Sequence, residues 1–296
     1  MKRLAALAAL TACGCLSFHQ GAMPGEPKAA RFAQVDGVRI RYTDRGHGPV
    51  VVMLHGFASS LETWEGVAPL LATDHRVIAL DLKGFGWTDR PEGDYSPQAE
   101  AALVFGLLDK LGVDSAAVVA HSWGASVALA MSLAQPKRVT RLALYDAWVY
   151  EEQLPLFFHL ARSAGLGEFL FGAFYDERPE EKLEHAFFHK DAIPEPLVEA
   201  VEKAMSRPGT QAAALAAVRG QRFKDVQSRY RTITQPTLLL WGREDEVTRL
   251  SFGERLSNEL PKAHLIVYPL CGHFPMIEAA APSNRDLVAF LAEGQP

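Results

Sequence analysis

What the chain lacks narrows its class before any motif is read. Cysteine is scarce: Cys13, Cys15 and Cys271 are the three in 296 residues, too few and too far apart for a disulfide framework. Charge of one sign is nowhere concentrated. The 30 basic and 35 acidic residues leave a formal net charge of −5, and no Lys/Arg run exceeds a pair, so the basic footprint of a nucleic-acid binder is missing. Near the N-terminus, Leu4 to Leu10 (LAALAAL) falls far short of the roughly 20 apolar residues that span a bilayer. No internal repeat or low-complexity tract occurs. What remains is ordinary: 48% hydrophobic and 22% charged residues describe a folded globular chain. Its length suits two units or one large α/β domain with an insertion.

The first residues depart from that average. Lys2 and Arg3 precede the short apolar stretch and small residues follow it, the pattern of an export signal. Leu10-Thr11-Ala12-Cys13 resembles the lipobox of bacterial lipoproteins, which implies cleavage before Cys13 and lipidation of its thiol. Residues 1–12 are then a signal peptide and residues 13–31 a lipidated tether. Gly14 to Ala30 is rich in Gly, Pro and small residues and reads as a flexible linker. The expected location is exported, with the folded domain held on a bacterial membrane, at its periplasmic or outer-membrane face, through Cys13, or otherwise secreted.

Past the linker, strand-like and helix-like segments alternate. Phe32 to Gly46 alternates apolar and polar residues about Asp36-Gly37, which predicts a hairpin of two antiparallel edge strands. Val51–His55, Arg76–Leu80, Ala116–His121 and Arg141–Asp146 are short apolar runs of the kind buried on both faces of a parallel sheet. Between two of them, Ser96-Pro97 through Leu111 has a Ser cap, Pro at the first helical position and helical apolar spacing. The pattern pauses after Asp146 and resumes at Thr237–Trp241, His264–Tyr268 and a final amphipathic helix. The predicted fold class is therefore α/β, a mostly parallel twisted sheet flanked by helices. Residues 32–146 and 232–296 form its core, and residues 147–231 are a helical cap.

Chemistry is expected at the carboxyl ends of the strands. After one strand comes Ala120-His121-Ser122-Trp123-Gly124, a G-x-S-x-G variant with Ala in the first glycine position. Small neighbours let a serine occupy a sharp strand-to-helix turn, its oxygen raised into the cleft. An isolated S-x-G is usually only a helix cap, but its context strengthens it. His55-Gly56-Phe57 ends another strand, where the backbone N–H of Phe57 can oppose that of Trp123 as an oxyanion hole. Asp245 follows a later strand and His273 the last one, giving the order Ser…Asp…His. In these roles Ser122 is the nucleophile, His273 the base and Asp245 the residue that orients the imidazole. Asp146 is the competing acid. His121 is expected to point away from the nucleophile as a scaffold, and Asp81 to organise a loop.

Together these motifs, with DLKGFGWTDRP at 81–91 and GHFPMIE at 272–278, resemble the α/β-hydrolase fold family over residues 32 to 293. The similarity is to its serine esterase and carbon–carbon bond hydrolase branch. It implies hydrolysis of a carboxylic ester or related acyl compound through an acyl-enzyme. Alternatives are a carbon–carbon hydrolase, a lactonase, a perhydrolase or a non-catalytic hydrolase-like binding protein. A small-molecule substrate is expected, with no protein partner evident. His185 and His189 have the spacing of a helical zinc pair but lack the HExxH glutamate, and Gly84-Phe85-Gly86 lacks the third glycine of a nucleotide loop. No metal and no cofactor are implied.

Overall fold

Aliphatic runs too short for helices assemble the centre of the molecule, a single eight-stranded sheet. The computed structural model describes residues 16–175 and 179–293; Cys13 and the expected lipobox lie outside the described residues. In chain order come β1 (Arg31–Val35), β2 (Val38–Arg45), β3 (Val50–Leu54), α1 (Ala68–Leu71), β4 (Arg76–Leu80), α2 (Pro97–Lys110), β5 (Ala116–His121), α3 (Trp123–Ala134) and β6 (Val139–Tyr145). Five helices follow: α4 (Leu156–Ala161), α5 (Leu166–Phe174), α6 (Pro179–Ala186), α7 (Glu195–Met205) and α8 (Thr210–Gly220). The chain then completes the sheet with β7 (Thr237–Gly242), α9 (Leu250–Glu259), β8 (Ala263–Tyr268), α10 (Pro275–Glu278) and α11 (Ala280–Ala292).

The strand order is β1-β2-β4-β3-β5-β6-β7-β8. Strands β3 to β8 run parallel, and β1 and β2 are antiparallel to their neighbours. The hairpin forms because Asp36 and Gly37 both take positive φ, 45° and 81°, the twist that a two-residue turn needs. Of the hairpin, however, only β1 lies at an edge of the sheet. Strand β2 pairs on its other side with β4, Tyr42 opposite Leu80, so one of the two expected edge strands is internal.

Alternation along the strands divides the core into two layers. Val52, Leu54, Val118, Leu142, Leu144 and Leu239 face the layer shared with α2, α3 and the cap. Val51, Met53, Val119, Ala143, Leu238 and Leu240 face a second layer closed by α1 and α11. Helix α2 starts as its sequence dictates: Ser96 Oγ accepts from the Ala99 N–H at 3.2 Å and Pro97 occupies the first turn.

The flexible-linker reading does not describe residues 16–31, which lie on the body. The His19 N–H donates to Arg90 O at 2.9 Å, and the His19 carbonyl accepts the Arg90 N–H in return at 2.7 Å. The Gly21 N–H donates to Asp89 Oδ1, Met23 is buried, and Glu26 takes a bidentate bond from Arg39. Gly21 and Gly25, both at positive φ, turn the chain so that these long-range partners meet. Glycine here serves a fixed path rather than freedom.

Candidate active site

Ser122 ends β5 and begins α3 with φ 51° and ψ −121°, a left-handed conformation that costs energy for a residue with a side chain. Its surroundings hold it there. The Ser122 N–H donates to Tyr145 O at 2.9 Å, and its carbonyl accepts from Trp148 and Ala125 at 3.1 and 2.9 Å. Gly124 is demanded by close approach, since a Cβ there would lie 2.5 Å from His55 O and 2.7 Å from Leu54 O. Ala120, in place of the first glycine of the motif, is an ordinary buried strand residue between Leu54 and Leu144. Trp123 is the first residue of α3, where an N–H has no intrahelical partner. Phe57 lines the same cavity as Ser122.

His273 and Asp245 come from the loops after β8 and β7. His273 Nδ1 donates to Asp245 Oδ2 at 2.8 Å. Asp245 Oδ1 accepts the backbone N–H groups of Val247 and Thr248 at 2.7 and 2.9 Å, and Oδ2 takes the Thr248 hydroxyl at 2.6 Å. Burial works to raise this carboxyl's pKa. The neighbouring His273 and the donated bonds outweigh it and hold the group well below the usual carboxylate range. With its Nδ1 proton committed to a carboxylate, His273 keeps the lone pair on Nε2, the arrangement of a general base. Ser122 and His273 line one cavity.

Asp146 sits beside this pair. At φ 43° it brings a carboxyl oxygen within 4.8 Å of both Asp245 and His273, and its Oδ1 accepts the Gly242 N–H at 2.9 Å. Burial, then the adjacent charge of Asp245 and a hydrogen bond to it, push its pKa well above the usual range. As a carboxylate its Oδ2 would be buried without a partner. As the neutral acid it has an O–H to direct at Asp245. The geometry thus gives the imidazole to Asp245, and burial beside that charge favours the neutral form of Asp146.

Other histidines serve the loops. His121 Nε2 donates to the His273 carbonyl at 2.8 Å, and burial drives its pKa well below the ordinary histidine value, so the ring stays neutral and positions the His273 loop. His55 accepts the Leu82 N–H on Nε2 at 3.0 Å and therefore donates from Nδ1 to Gly56 O at 2.7 Å. Asp81 accepts from the Leu61 and Trp87 N–H groups and pairs with Arg41. Gly86 packs on that carboxylate so closely that a Cβ would lie 2.1 Å from it, which makes Gly84-Phe85-Gly86 a turn around Asp81. Helix α6 ends at Ala186, so His185 and His189 share no helical face; His185 Nδ1 instead lies 3.2 Å from Glu246.

Two contributors went unassigned in the sequence. Thr248 joins Asp245 to the Asp146 carbonyl; its position three residues after the acid, where a hydroxyl can close a local turn, was the available sign. Glu278 accepts the N–H groups of Gly272 and Phe188 at 2.9 and 2.8 Å, and the His273 N–H donates to Ala186 O at 2.7 Å. These bonds tie the histidine loop to the cap. The bonds to Phe188 and Ala186 are long-range, so local sequence carries no trace of them.

The cavity above Ser122 has a volume of about 500 Å³, within the range of small-molecule sites. Its roof comes from the cap, including Trp148, Phe157, Phe158, Phe174 and Tyr175. Among the described residues none of its lining is Lys, Arg, Asp or Glu. Residues 49–280 match the family described as alpha/beta hydrolase fold. The chain belongs to that family. It is 30% identical over 277 residues to the 2-hydroxymuconate semialdehyde hydrolase of Pseudomonas sp. strain CF600, covering 90% of this chain and 95% of that one. It is 29% identical over 286 residues to the 2-hydroxy-6-oxo-2,4-heptadienoate hydrolase of Pseudomonas putida, covering 88% and 96%. A solved structure of the meta-cleavage product hydrolase of Pseudomonas fluorescens IP01 superposes with a TM-score of 0.78 at 27% identity, covering 90% and 98%. The chain is an α/β-hydrolase enzyme.

Proposed function

We propose that this hydrolase cleaves a carbon–carbon bond beside a ketone, through Ser122, His273 and Asp245. The observation that carries the proposal is the fixed His273–Asp245 pair opening, with Ser122, into an apolar cavity, in a chain whose relatives are named as hydrolases of dienoate and semialdehyde compounds. His273 takes the Ser122 proton as Oγ bonds to the ketone carbon, and the oxyanion draws on the Phe57 and Trp123 N–H groups. Collapse breaks the carbon–carbon bond, and its electron pair leaves with the departing carbon, which His273 protonates. Water then hydrolyses the acyl-enzyme. Such a leaving group demands conjugation that spreads the electron pair, which a dienol provides.

The ester reading expected from the sequence becomes the second one, favoured by a specific feature. A substrate with a carboxylate end calls for a cation, and the described cavity lining contains none. Steady-state assay of 2-hydroxy-6-oxo-2,4-heptadienoate against 4-nitrophenyl butyrate tests the choice. The proposal expects kcat/KM on the dienoate to exceed that on the ester; a clear preference for the ester overturns it in favour of the second reading.

We also propose that the mature protein begins at Cys13 and is exported and lipid-anchored. Lys2, Arg3, the apolar stretch and Leu10-Thr11-Ala12-Cys13 support this. No described helix is long and apolar enough to cross a membrane. Stable anchoring requires more than one acyl chain, as the resembled lipoproteins carry. Intact mass of the cell-extracted protein should show a lipid adduct that Cys13→Ala abolishes; an unmodified wild-type N-terminus refutes it.

A further inference from the structure

Helix α5, LGEFLFGAF, has one charged residue, Glu168, and that is bound to Arg219 at 2.8 Å. Helices apolar on every side are ordinarily buried. Yet α5 leaves Leu166, Phe169 and Phe174 exposed at 41%, 48% and 46%. Beside it, α4 packs through Phe157 against Phe171 with ring centroids 5.4 Å apart. It turns Phe158 and Ala161 inward and leaves Leu156 and Leu160, one helical turn apart, exposed. Five of the nine large apolar residues exposed among the described residues fall within these two helices. Such clustering marks a surface that meets something apolar.

Two further observations identify the occupant. The described chain starts at Leu16, whose Cδ2 lies 3.7 Å from where a Cβ on Gly172 of α5 would stand. Whatever precedes Leu16, which begins at Cys13 if the lipid-anchor proposal holds, is therefore attached beside this same helix. Phe174 in turn lines the Ser122 cavity while it is half exposed and packs edge-on against Phe169 with centroids 6.0 Å apart. The cavity wall and the apolar face are thus continuous.

We propose that the α4–α5 face of the cap seats on a phospholipid bilayer, on the side from which the N-terminal segment leaves, and that the apolar part of a substrate enters the cavity past Phe174 from the lipid side. The entry step rests on the hydrolase reading; the seating does not. Since Glu168 and Arg219 neutralise each other, attraction is apolar, and zwitterionic lipid is sufficient.

The test is flotation of the full-length protein with phosphatidylcholine vesicles, in low and high salt. The expected result is binding that survives high salt and weakens roughly tenfold or more in Leu166→Glu/Phe169→Glu, while Val288→Glu, an exposed apolar site on α11, binds as wild type. Circular dichroism checks folding, and if the double variant is unfolded, Leu156→Glu must still weaken binding severalfold. Flotation of the double variant equal to wild type would leave the N-terminal segment as sole anchor and overturn the proposal. So would absence of flotation with a dimer on gel filtration that the double variant dissociates, since a second copy would then own the face. Fluorophosphonate labelling without vesicles reports the serine separately, so a failed seat and a failed hydrolase reading are told apart.

Discussion

Asp245→Asn and Asp146→Asn are nearly isosteric changes a few ångströms apart, and the structure assigns them opposite outcomes. Asp245 Oδ1 accepts two backbone N–H groups, while Oδ2 accepts from Thr248 and His273. An asparagine that keeps its oxygen toward the backbone turns its NH2 on the Nδ1–H of His273, donor against donor. The imidazole must then move its proton to Nε2, where it can no longer accept from Ser122. The flipped amide instead faces both backbone donors, leaving two buried N–H groups unsatisfied. The two unsatisfied donors disfavour the flipped orientation, so the first prevails and the base is lost, at about 10⁴-fold in kcat, or about 5.5 kcal/mol at ~1.4 per tenfold. Burial and the adjacent charge of Asp245 favour the neutral acid at Asp146. Asparagine reproduces its pattern, a carbonyl for the Gly242 N–H and a donor toward Asp245, so Asp146→Asn should stay within about threefold of wild type. Turnover of 4-nitrophenyl butyrate with circular dichroism as the folding control decides it. If Asp146→Asn proved the more damaging, the acid would belong to β6 and the reasoning would fail.

Three further outcomes follow from particular contacts. Glu100 is fully buried with its pKa pushed up to about 8 by burial, partly offset by Lys83. Because its folded pKa is raised, its contribution to stability is full below the unfolded value and is lost as pH rises to about 8, at up to ~1.4 kcal/mol per pH unit; Glu100→Gln should therefore melt progressively higher than wild type between pH 5 and 8, and a constant offset would refute this. Gly124→Ala forces a Cβ to 2.5 Å from His55 O, so it should destabilise by at least about 2 kcal/mol and lower turnover, read by denaturant unfolding. Phe158→Ala opens the cavity roof and should shift kcat/KM ratios across a series of ester chain lengths; uniform losses would mean that Phe158 only packs the cap.

The sheet was legible because its strands are buried on both faces and read as continuous apolar runs, with β4 and β5 bounded as expected. Ser122, Asp245 and His273 were legible because each follows such a run, and strand ends are where the fold gathers side chains. The path of residues 16–31 was not. Glycine and proline there resemble a linker, whereas the partners that fix it, Asp89, Arg90 and Arg39, lie 13 to 71 positions away. The raised pKa of Asp146 was equally hidden, since it depends on burial and on the charge of Asp245, from the loop after another strand. Glu278 stood in a recognised motif, but its function in joining cap to histidine loop exists only once α6 is folded against it.

Fluorophosphonate labelling of the intact protein, followed by peptide mapping, tests the central claim most directly. Attack by an activated serine leaves one covalent adduct on the peptide that contains Ser122, absent in Ser122→Ala and slowed by orders of magnitude in His273→Ala. An unlabelled wild-type protein, or an adduct on any other residue, would contradict the assignment of Ser122, His273 and Asp245 as the reacting group and its base.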